Sequence, residues 1–390
     1  MRSSLSNPSG LVMIGIDEAG FGPMLGPLCV GCSVWHIADW KSGDPAPDLW
    51  QLLGKAVARS RKEAGDRIAI ADSKKLKGTG TKTHPLTHLE RGVLAMLGGK
   101  ISTDNNLLDV LSSGAGGILP PGELSGTAHA WGKMPHAPDL GRLQNPDSTA
   151  PLVSDENRGS LPWYTLPPLD LPLANDESQL RLDSSVIRSA MAKAGVSLLG
   201  CRCEIINEIE FNRIIQPKPG QTGSKAHTTL AAIGRILRSL LLPDGDQESL
   251  VTIPNPAHIR VVCDRLGGRQ SYTQAIERIL PGFSARMLVE SPEMSRYSLV
   301  LRDEISTSPF PETKISFQTE SETVHMPIAL ASMIAKYVRE LAMIRFNTYW
   351  QAKMPELKPT AGYVTDARRW LDDAADAVDR SLRERMIRKA

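Results

Sequence analysis

The chain has 390 residues, of which 41% are hydrophobic and 23% charged, with 45 Lys and Arg against 43 Asp and Glu. This composition is typical of a soluble globular protein with one large core or two smaller ones. A net charge of +2 is nearly neutral, so composition alone does not predict binding to nucleic acid, and any basic surface has to be local. No apolar run has the length of a membrane span, and the polar first ten residues lack the apolar core of a signal peptide. We therefore expect a cytoplasmic protein that binds no membrane.

The first predicted strand, residues 11–16, ends in two adjacent carboxylates, Asp17 and Glu18, and a turn with Gly20 and Gly22 follows. Two carboxylates this close repel each other unless they share a cation or a proton, so the pair indicates a site for a hard metal ion. A pair of solvated acids at a strand end is the alternative interpretation. The elements predicted next are strand 28–35, helix 48–63 and strand 67–71.

The stretch 77–196 is predicted to be an insertion, because its residues 103–184 are dense in Gly, Pro, Ser and Asn. Such a composition favours irregular or disordered chain over helices and strands. Trp163 and Tyr164 are expected to attach parts of it to the surface. Its role is open, and binding of a protein partner is one possibility.

Strands and helices alternate after the insertion, which favours an α/β sandwich around a mixed sheet. The predicted strands are 197–205, 258–264, 284–290, 298–302 and 314–318. The predicted helices are 185–194, 228–242, 271–279, 327–346 and 366–389. Residues 11–76 and 197–350 are assigned to a discontinuous catalytic domain, and residues 351–390 to a C-terminal helical extension.

The five cysteines do not form a disulfide framework in this interpretation, because their number is odd and no secretion signal precedes them. Cys29 and Cys32 together with Cys201 and Cys203 could imitate a four-thiolate zinc site. All four lie in predicted strands, where cysteine is more often a small core residue, and this is the preferred interpretation.

Four segments carry most of the functional information. They are Asp17-Glu18-Ala19-Gly20-Phe21-Gly22-Pro23, Asp72-Ser73-Lys74-Lys75-Leu76, the strand 261–264 ending in Asp264, and the small-residue helix 327–340 ending in Glu340. In this order they resemble the motifs of ribonuclease HII, the type 2 ribonuclease H family, and weaker matches lie at 209–212 and 361–365. The resemblance implies a ribonuclease H-like fold, with a mixed five-stranded sheet flanked by helices and a C-terminal helical region.

The resemblance also implies an activity, hydrolysis of the RNA strand of RNA–DNA hybrids with 3′-hydroxyl and 5′-phosphate products. Its four catalytic and metal-binding carboxylates correspond to Asp17, Glu18, Asp264 and Glu340, which would hold two Mg²⁺ or Mn²⁺ ions. Glu322 is a further acid near the same end. A nucleic-acid-binding relative without activity, or a scaffold protein that acts through the insertion, are the alternatives.

The expected substrate is an RNA–DNA hybrid or DNA that contains ribonucleotides. Lys74 and Lys75 are expected to bind phosphates, and Tyr363 to stack on the deoxyribose side. The full set of implied substrate-binding residues is Gly20, Phe21, Gly22, Ser73, Lys74, Lys75, Ser332, Lys336 and Tyr363. Phe21 stands where the family has arginine, which leaves open whether single ribonucleotides are cut. Glu340 stands where it has aspartate.

Overall fold

A mixed sheet of seven strands forms the centre of the protein in a computed structural model that describes residues 10–78, 83–98, 101–113, 161–216, 224–241, 258–267, 269–302 and 310–389. Its strands are β1 (Leu11–Ala19), β2 (Leu28–Ile37), β5 (Val196–Ile206), β6 (His258–Asp264), β7 (Phe283–Glu290), β8 (Met294–Leu301) and β9 (Glu312–Gln318). The α/β prediction is confirmed. The prediction of five strands is wrong, because the β7–β8 hairpin extends the sheet by antiparallel pairing with β9. Two short strands, β3 (Val57–Ala58) and β4 (Ile68–Ala69), pair separately.

The order of the strands across the sheet is β5-β2-β1-β6-β9-β8-β7. The three central strands β1, β6 and β9 run parallel, with Ile16 opposite Cys263 and Asp264 opposite Gln318. Their neighbours on both sides run antiparallel. The carboxyl ends of three adjacent strands therefore meet at one edge of the sheet, the edge at which open α/β sheets bind ligands.

Helices cover both faces of this sheet. In chain order they are α1 (Leu49–Leu52), α2 (Arg61–Ala64), α3 (Ser73–Leu76), α4 (Thr87–Leu97), α5 (Asp104–Ser113), α6 (Glu177–Lys193), α7 (Glu208–Ile215), α8 (Lys225–Leu241), α9 (Thr273–Ile279), α10 (Ser321–Val324), α11 (Met326–Lys353), α12 (Val364–Asp373) and α13 (Arg380–Met386). None of the helices within the described ranges is both long and apolar enough to span a bilayer.

The long helix α11 packs directly on the backbone of β1 and β2, because both strands carry a glycine beneath it. A Cβ atom on Gly15 would lie 2.3 Å from the Pro327 carbonyl carbon, and one on Gly31 would lie 2.1 Å from the Ala331 oxygen. Larger residues at these two positions would push the helix off the sheet. The glycines thus bring α11 against the strand that carries Asp17.

Alternation along β1 divides the core into two layers. Leu11 and Met13 face α11 and the helices packed around it, whereas Val12, Ile14 and Ile16 face α8 and α9. By the same alternation, Asp17 lies on the face of Leu11 and Met13, and Glu18 lies on the opposite face. Thus Asp17 lies on the α11 side of the sheet.

The irregular structure predicted for residues 103–184 is wrong at both ends of that stretch. Helix α5 begins at Asp104, whose carboxylate is buried against Arg345 of α11, with Nε of the arginine 2.6 Å from Oδ2. Trp163 is not a surface attachment but a fully buried side chain against Phe346, with ring centroids 4.8 Å apart. The high content of Gly and Pro in this stretch gave no indication that Asp104 and Trp163 are buried. Residues 114–160 lie outside the described residues.

Two predicted helices are interrupted. The span 48–63 contains α1, β3 and the start of α2, and Gly54 lies in the turn that ends α1. The span 366–389 is divided between α12 and α13, and the Asp379 side chain accepts a hydrogen bond from Leu382 N as the cap of α13. Capping by Asp379 starts a new helix where the apolar spacing alone predicts a continuous one.

Candidate active site

Three acidic segments meet at the carboxyl edge of the parallel strands. Asp17 lies one residue beyond the Ile16–Cys263 pair, and Asp264 is the last residue of β6. Since neighbouring strands are about 4.8 Å apart, these two backbone positions are side by side. Strand β9 ends at Gln318, opposite Asp264, and the chain then turns into α10, which carries Glu322. The fold therefore brings acids from β1, β6 and α10 to one place.

The pKa values of these acids show that their carboxylates influence one another. The pKa of Asp17, which is 8% exposed, is raised well above its ordinary value by burial and then by the charges of Glu18 and Asp264. Burial and the charge of Asp264 raise the pKa of Glu18 to about 7. Burial likewise raises the pKa of Asp264. Such shifts are typical of carboxylates assembled for proton or metal chemistry.

Glu322 belongs to the same cluster. Burial raises its pKa, and the charges of Asp264 and Asp72 act in the same direction. Its Oε2 atom is buried and has no hydrogen-bond partner among the described residues. Sequence reasoning gave Glu322 only a secondary place. The parallel pairing of β6 with β9 would have identified it, because that pairing puts the residues just after Gln318 beside Asp264.

Glu340 lies elsewhere. Both of its oxygens are held by lysines, Oε2 at 2.8 Å from Lys77 Nζ and Oε1 at 2.7 Å from Lys336 Nζ. Although burial acts to raise its pKa, these two ammonium groups hold it below the ordinary value. Glu340 is eight residues beyond Ser332 on α11, about 12 Å along the helix axis. On α11, Ser332 is the residue whose hydrogen bond lowers the pKa of Asp17.

Helix α3 and α11 approach each other through two buried serines beside the acids. Ser332 is hydrogen-bonded to Asp17, which opposes the rise in the Asp17 pKa, and Ser332 Oγ lies 3.0 Å from Ser73 Oγ. Lys74 and Lys75 follow on α3 with exposed side chains. The charge of Lys74 lowers the pKa of Glu18, so its ammonium group is near the cluster. Ser73 thus bonds within the protein, while the two lysines face solvent.

The loop after Glu18 is tightly bent. Gly20 has φ +91°, and a Cβ atom there would lie 2.6 Å from the Pro27 oxygen. Only glycine adopts this conformation without strain. Phe21 is half-buried against the α8 layer of the core, whereas Gly22 is exposed with open space around it. Of these three residues Gly22 is the most accessible to a ligand.

Tyr363 lies near two cationic side chains of α11, Lys336 and Arg339. Tyr363 is 49% exposed, and its ring centroid lies 6.0 Å from Lys336 Nζ and 5.6 Å from Arg339 Cζ. Arg339 is buried and donates to the carbonyl oxygens of Leu25 and Ala361. Lys336 is also buried and paired with Glu340. The ring of Tyr363 is therefore accessible, whereas Lys336 and Arg339 use their charges in contacts within the protein.

The donor chemistry of the four-acid cluster fits a hard divalent ion, because carboxylate oxygens are its preferred ligands and the buried Oε2 of Glu322 lacks a partner. In the described part of the chain, no three His, Cys, Asp or Glu side chains already stand in a metal-binding arrangement. The fit therefore concerns charge and ligand type. The thiolate alternative has no support, since burial raises the pKa of Cys32 to about 12 and so disfavours its thiolate.

No protein-family model matches the chain, and no curated protein matches it significantly. Three similar solved structures are ribonucleases H. RNase HII from Archaeoglobus fulgidus, in complex with PCNA, is 12% identical with a TM-score of 0.34 over 97% of this chain and 93% of that one. Ribonuclease H2 from Pyrococcus horikoshii is 12% identical, with a TM-score of 0.34 over 96% of each chain. Bst-RNase HIII in complex with Mn²⁺ is 12% identical, with a TM-score of 0.33 over 100% and 70%. At these values the likeness carries no inference about function.

Proposed function

We propose that the chain is a divalent-metal-dependent endonuclease with a ribonuclease H-like fold, which hydrolyses the RNA strand of RNA–DNA hybrids. The observation that carries the proposal is the cluster of Asp17, Glu18, Asp264 and Glu322 at the carboxyl edge of the parallel strands, where burial raises all four pKa values and neighbouring carboxylates raise those of Asp17, Glu18 and Glu322 further. The sequence resemblance supports the choice of a hybrid substrate, since the motifs around Asp17 and Ser73 carry it.

Glu322 replaces Glu340 in this proposal as the fourth acid. The charge of Glu340 is balanced by ion pairs with Lys77 and Lys336, although its Oε1, like Oε2 of Glu322, makes no hydrogen bond. Glu322 has no ion pair among the described residues, and the charge of Asp264 raises its pKa. The residues that would hold two Mg²⁺ or Mn²⁺ ions are thus Asp17, Glu18, Asp264 and Glu322. When bound, such ions activate the attacking water and stabilise the leaving oxygen.

The chain's own residues would bind and orient the substrate. Lys74 and Lys75 are exposed on α3, and the charge of Lys74 acts on Glu18, so the two lysines can bind backbone phosphates through charge. The exposed ring of Tyr363 can stack on a sugar or base. The backbone at Gly22 is open, so a ribose hydroxyl can approach it closely. The half-buried Phe21 offers no charge to a phosphate, so we expect uniform hybrid to be cut better than duplex DNA with a single ribonucleotide.

A cleavage assay tests the proposal. End-labelled RNA–DNA hybrid, duplex DNA with one ribonucleotide, duplex RNA and duplex DNA are incubated with the protein in Mg²⁺ or Mn²⁺. We expect cleavage of the RNA strand of the hybrid, with 3′-hydroxyl and 5′-phosphate ends, and its loss in Asp17→Asn.

Asp376→Asn is the matched control, because Asp376 is an exposed acid on the C-terminal region. It should cut like the wild type. Binding of hybrid without cleavage in either ion would favour a nucleic-acid-binding protein without activity. A wild-type protein that neither binds nor cuts hybrid would leave the scaffold interpretation.

A further inference from the structure

The last described residues of the chain pack beneath the loop that follows Asp17 and Glu18. Arg388 is 3% exposed, and its guanidinium donates to three carbonyl oxygens of that loop, at 2.5 Å to Gly20, 2.9 Å to Phe21 and 3.4 Å to Gly26. Its own backbone N–H donates to the Met24 oxygen at 2.9 Å. One residue near the C-terminus therefore holds both ends of the loop 20–26.

The C-terminal segment is itself fixed in place by α7. Asn212 accepts a hydrogen bond from Lys389 N at 2.7 Å and donates to the Ile387 oxygen at 2.8 Å. The guanidinium carbon of Arg388 lies 3.9 Å from the centroid of the Phe211 ring. These contacts hold the backbone on both sides of Arg388 and its side chain, so the arginine has one defined position below the loop.

Several backbone groups of the loop are hydrogen-bonded within the protein, whereas two of its amides are not. Met24 and Leu25 donate to the Gly362 oxygen, and Gly26 N donates to Glu208 Oε1 at 3.1 Å. By contrast, the N–H groups of Phe21 and Gly22 donate to no other residue in the described ranges. The loop is thus fixed through Met24, Leu25 and Gly26, whereas the amides of Phe21 and Gly22, three and four residues after Glu18, have no partner among the described residues.

We infer that Arg388 is a positioning residue for substrate binding, which orients the loop so that the amides of Phe21 and Gly22 face the nucleic acid. This inference rests on the proposed function for the nature of the substrate. A guanidinium suits the task because its planar fork reaches neighbouring carbonyl oxygens, Gly20 and Phe21, at the same time. The C-terminal residues are then part of the working enzyme although they touch no reacting atom.

The test compares Arg388→Ala and Arg388→Lys in the full chain, with Arg380→Ala as the control, since Arg380 is an exposed arginine on α13. Hydrogen exchange is measured on the peptide that contains residues 20–26. KM and kcat are measured on RNA–DNA hybrid, and the melting temperature shows whether each variant is folded. The alanine variant is also assayed with added guanidinium ion.

We expect faster exchange in the 20–26 peptide of Arg388→Ala and a KM higher by about tenfold, because three charge-assisted hydrogen bonds are lost, with kcat within about twofold. Guanidinium ion should lower that KM. The KM of the lysine variant should lie between those of the wild type and the alanine variant, because an ammonium group cannot bridge two carbonyl oxygens as the planar guanidinium does. Arg380→Ala should match the wild type.

Unchanged exchange in the loop, or loosened exchange with an unchanged KM, overturns the inference. A fall in kcat at constant KM overturns it as well, because Arg388 would then act on the chemical step. If the proposed function is wrong, the wild type will neither bind nor cut hybrid, and Arg388 then has no role in substrate binding. The exchange data would still show separately whether Arg388 fixes the loop.

Discussion

Glutamine substitutions at Glu322 and at Glu340 distinguish the two candidates for the fourth catalytic carboxylate. Glu322→Gln removes a charge from the cluster at the strand ends and retains the size of the side chain. Glu340→Gln removes a charge of the same kind, 18 residues further along the chain, from between Lys77 and Lys336. The two substitutions are chemically identical, so any difference in outcome comes from the surroundings.

The expected magnitudes follow from the partners of each acid. Two unit charges 4 Å apart interact by about 4 kcal/mol at an effective dielectric constant of 20, and a replacement water recovers part of this for a metal ligand. We expect Glu322→Gln to lose about 2–3 kcal/mol of metal binding, or roughly 30- to 150-fold in affinity. In Glu340→Gln two lysine ammonium groups lose their partner, which we expect to cost about 1–3 kcal/mol of folding stability, because the site is largely buried.

Calorimetric titration with Mn²⁺, urea denaturation without metal, and the rate of hybrid cleavage measure these effects. Glu322→Gln should lose metal affinity and activity while its stability without metal stays the same or rises. Glu340→Gln should bind Mn²⁺ as the wild type does and unfold at a lower urea concentration. The reverse pattern, with Mn²⁺ binding lost only in Glu340→Gln, would refute this assignment of the cluster.

Three further predictions concern charge and pH. Lys74→Ala with Lys75→Ala should weaken hybrid binding at low salt and reduce the slope of log affinity against log salt by about 1–2, as measured by fluorescence anisotropy, because two phosphate contacts are lost. Glu208→Gln should gain up to about 3 kcal/mol of stability relative to the wild type at pH 8, but little at pH 5, in urea denaturation at the two pH values. The reason is that burial raises the pKa of Glu208 from 4.5 to about 7, so the wild type loses stability as the pH rises through that interval. Mn²⁺ should raise the melting temperature more at pH 8 than at pH 5, since the raised pKa values of Asp17 and Glu18 mean that protons occupy the cluster at the lower pH; equal shifts at both pH values would contradict metal binding there.

Local patterns predicted much of the fold but not the partners of single charges. The strand 258–264 has the predicted bounds, because an apolar run that ends in an acid before a Gly-rich turn leaves little freedom. Glu340 has the sequence position that the family motif implies for a catalytic acid, yet its ion pair with Lys77 of the α3 region is a contact between residues 263 positions apart. Arg388 is a similar case, since its partners Gly20 and Phe21 lie at the other end of the chain. Such contacts depend on packing and on strand register, which spacing within one segment does not encode.

The cost of assembling the cluster is itself informative about its role. Four carboxylates lie together at the sheet edge although burial raises all four of their pKa values and repulsion by neighbouring acids raises those of Asp17, Glu18 and Glu322 further. A site that served only stability would pair such acids with cations, as this same chain does where Asp104 meets Arg345 and where Glu340 meets two lysines. The acids at the strand ends lack a comparable set of ion pairs in the described ranges, and Ser332, Ser321 and Lys74 offset their charge only in part. Unfavourable electrostatics that the rest of the fold must compensate is typical of functional sites, and a divalent cation is the ligand whose charge would relieve it.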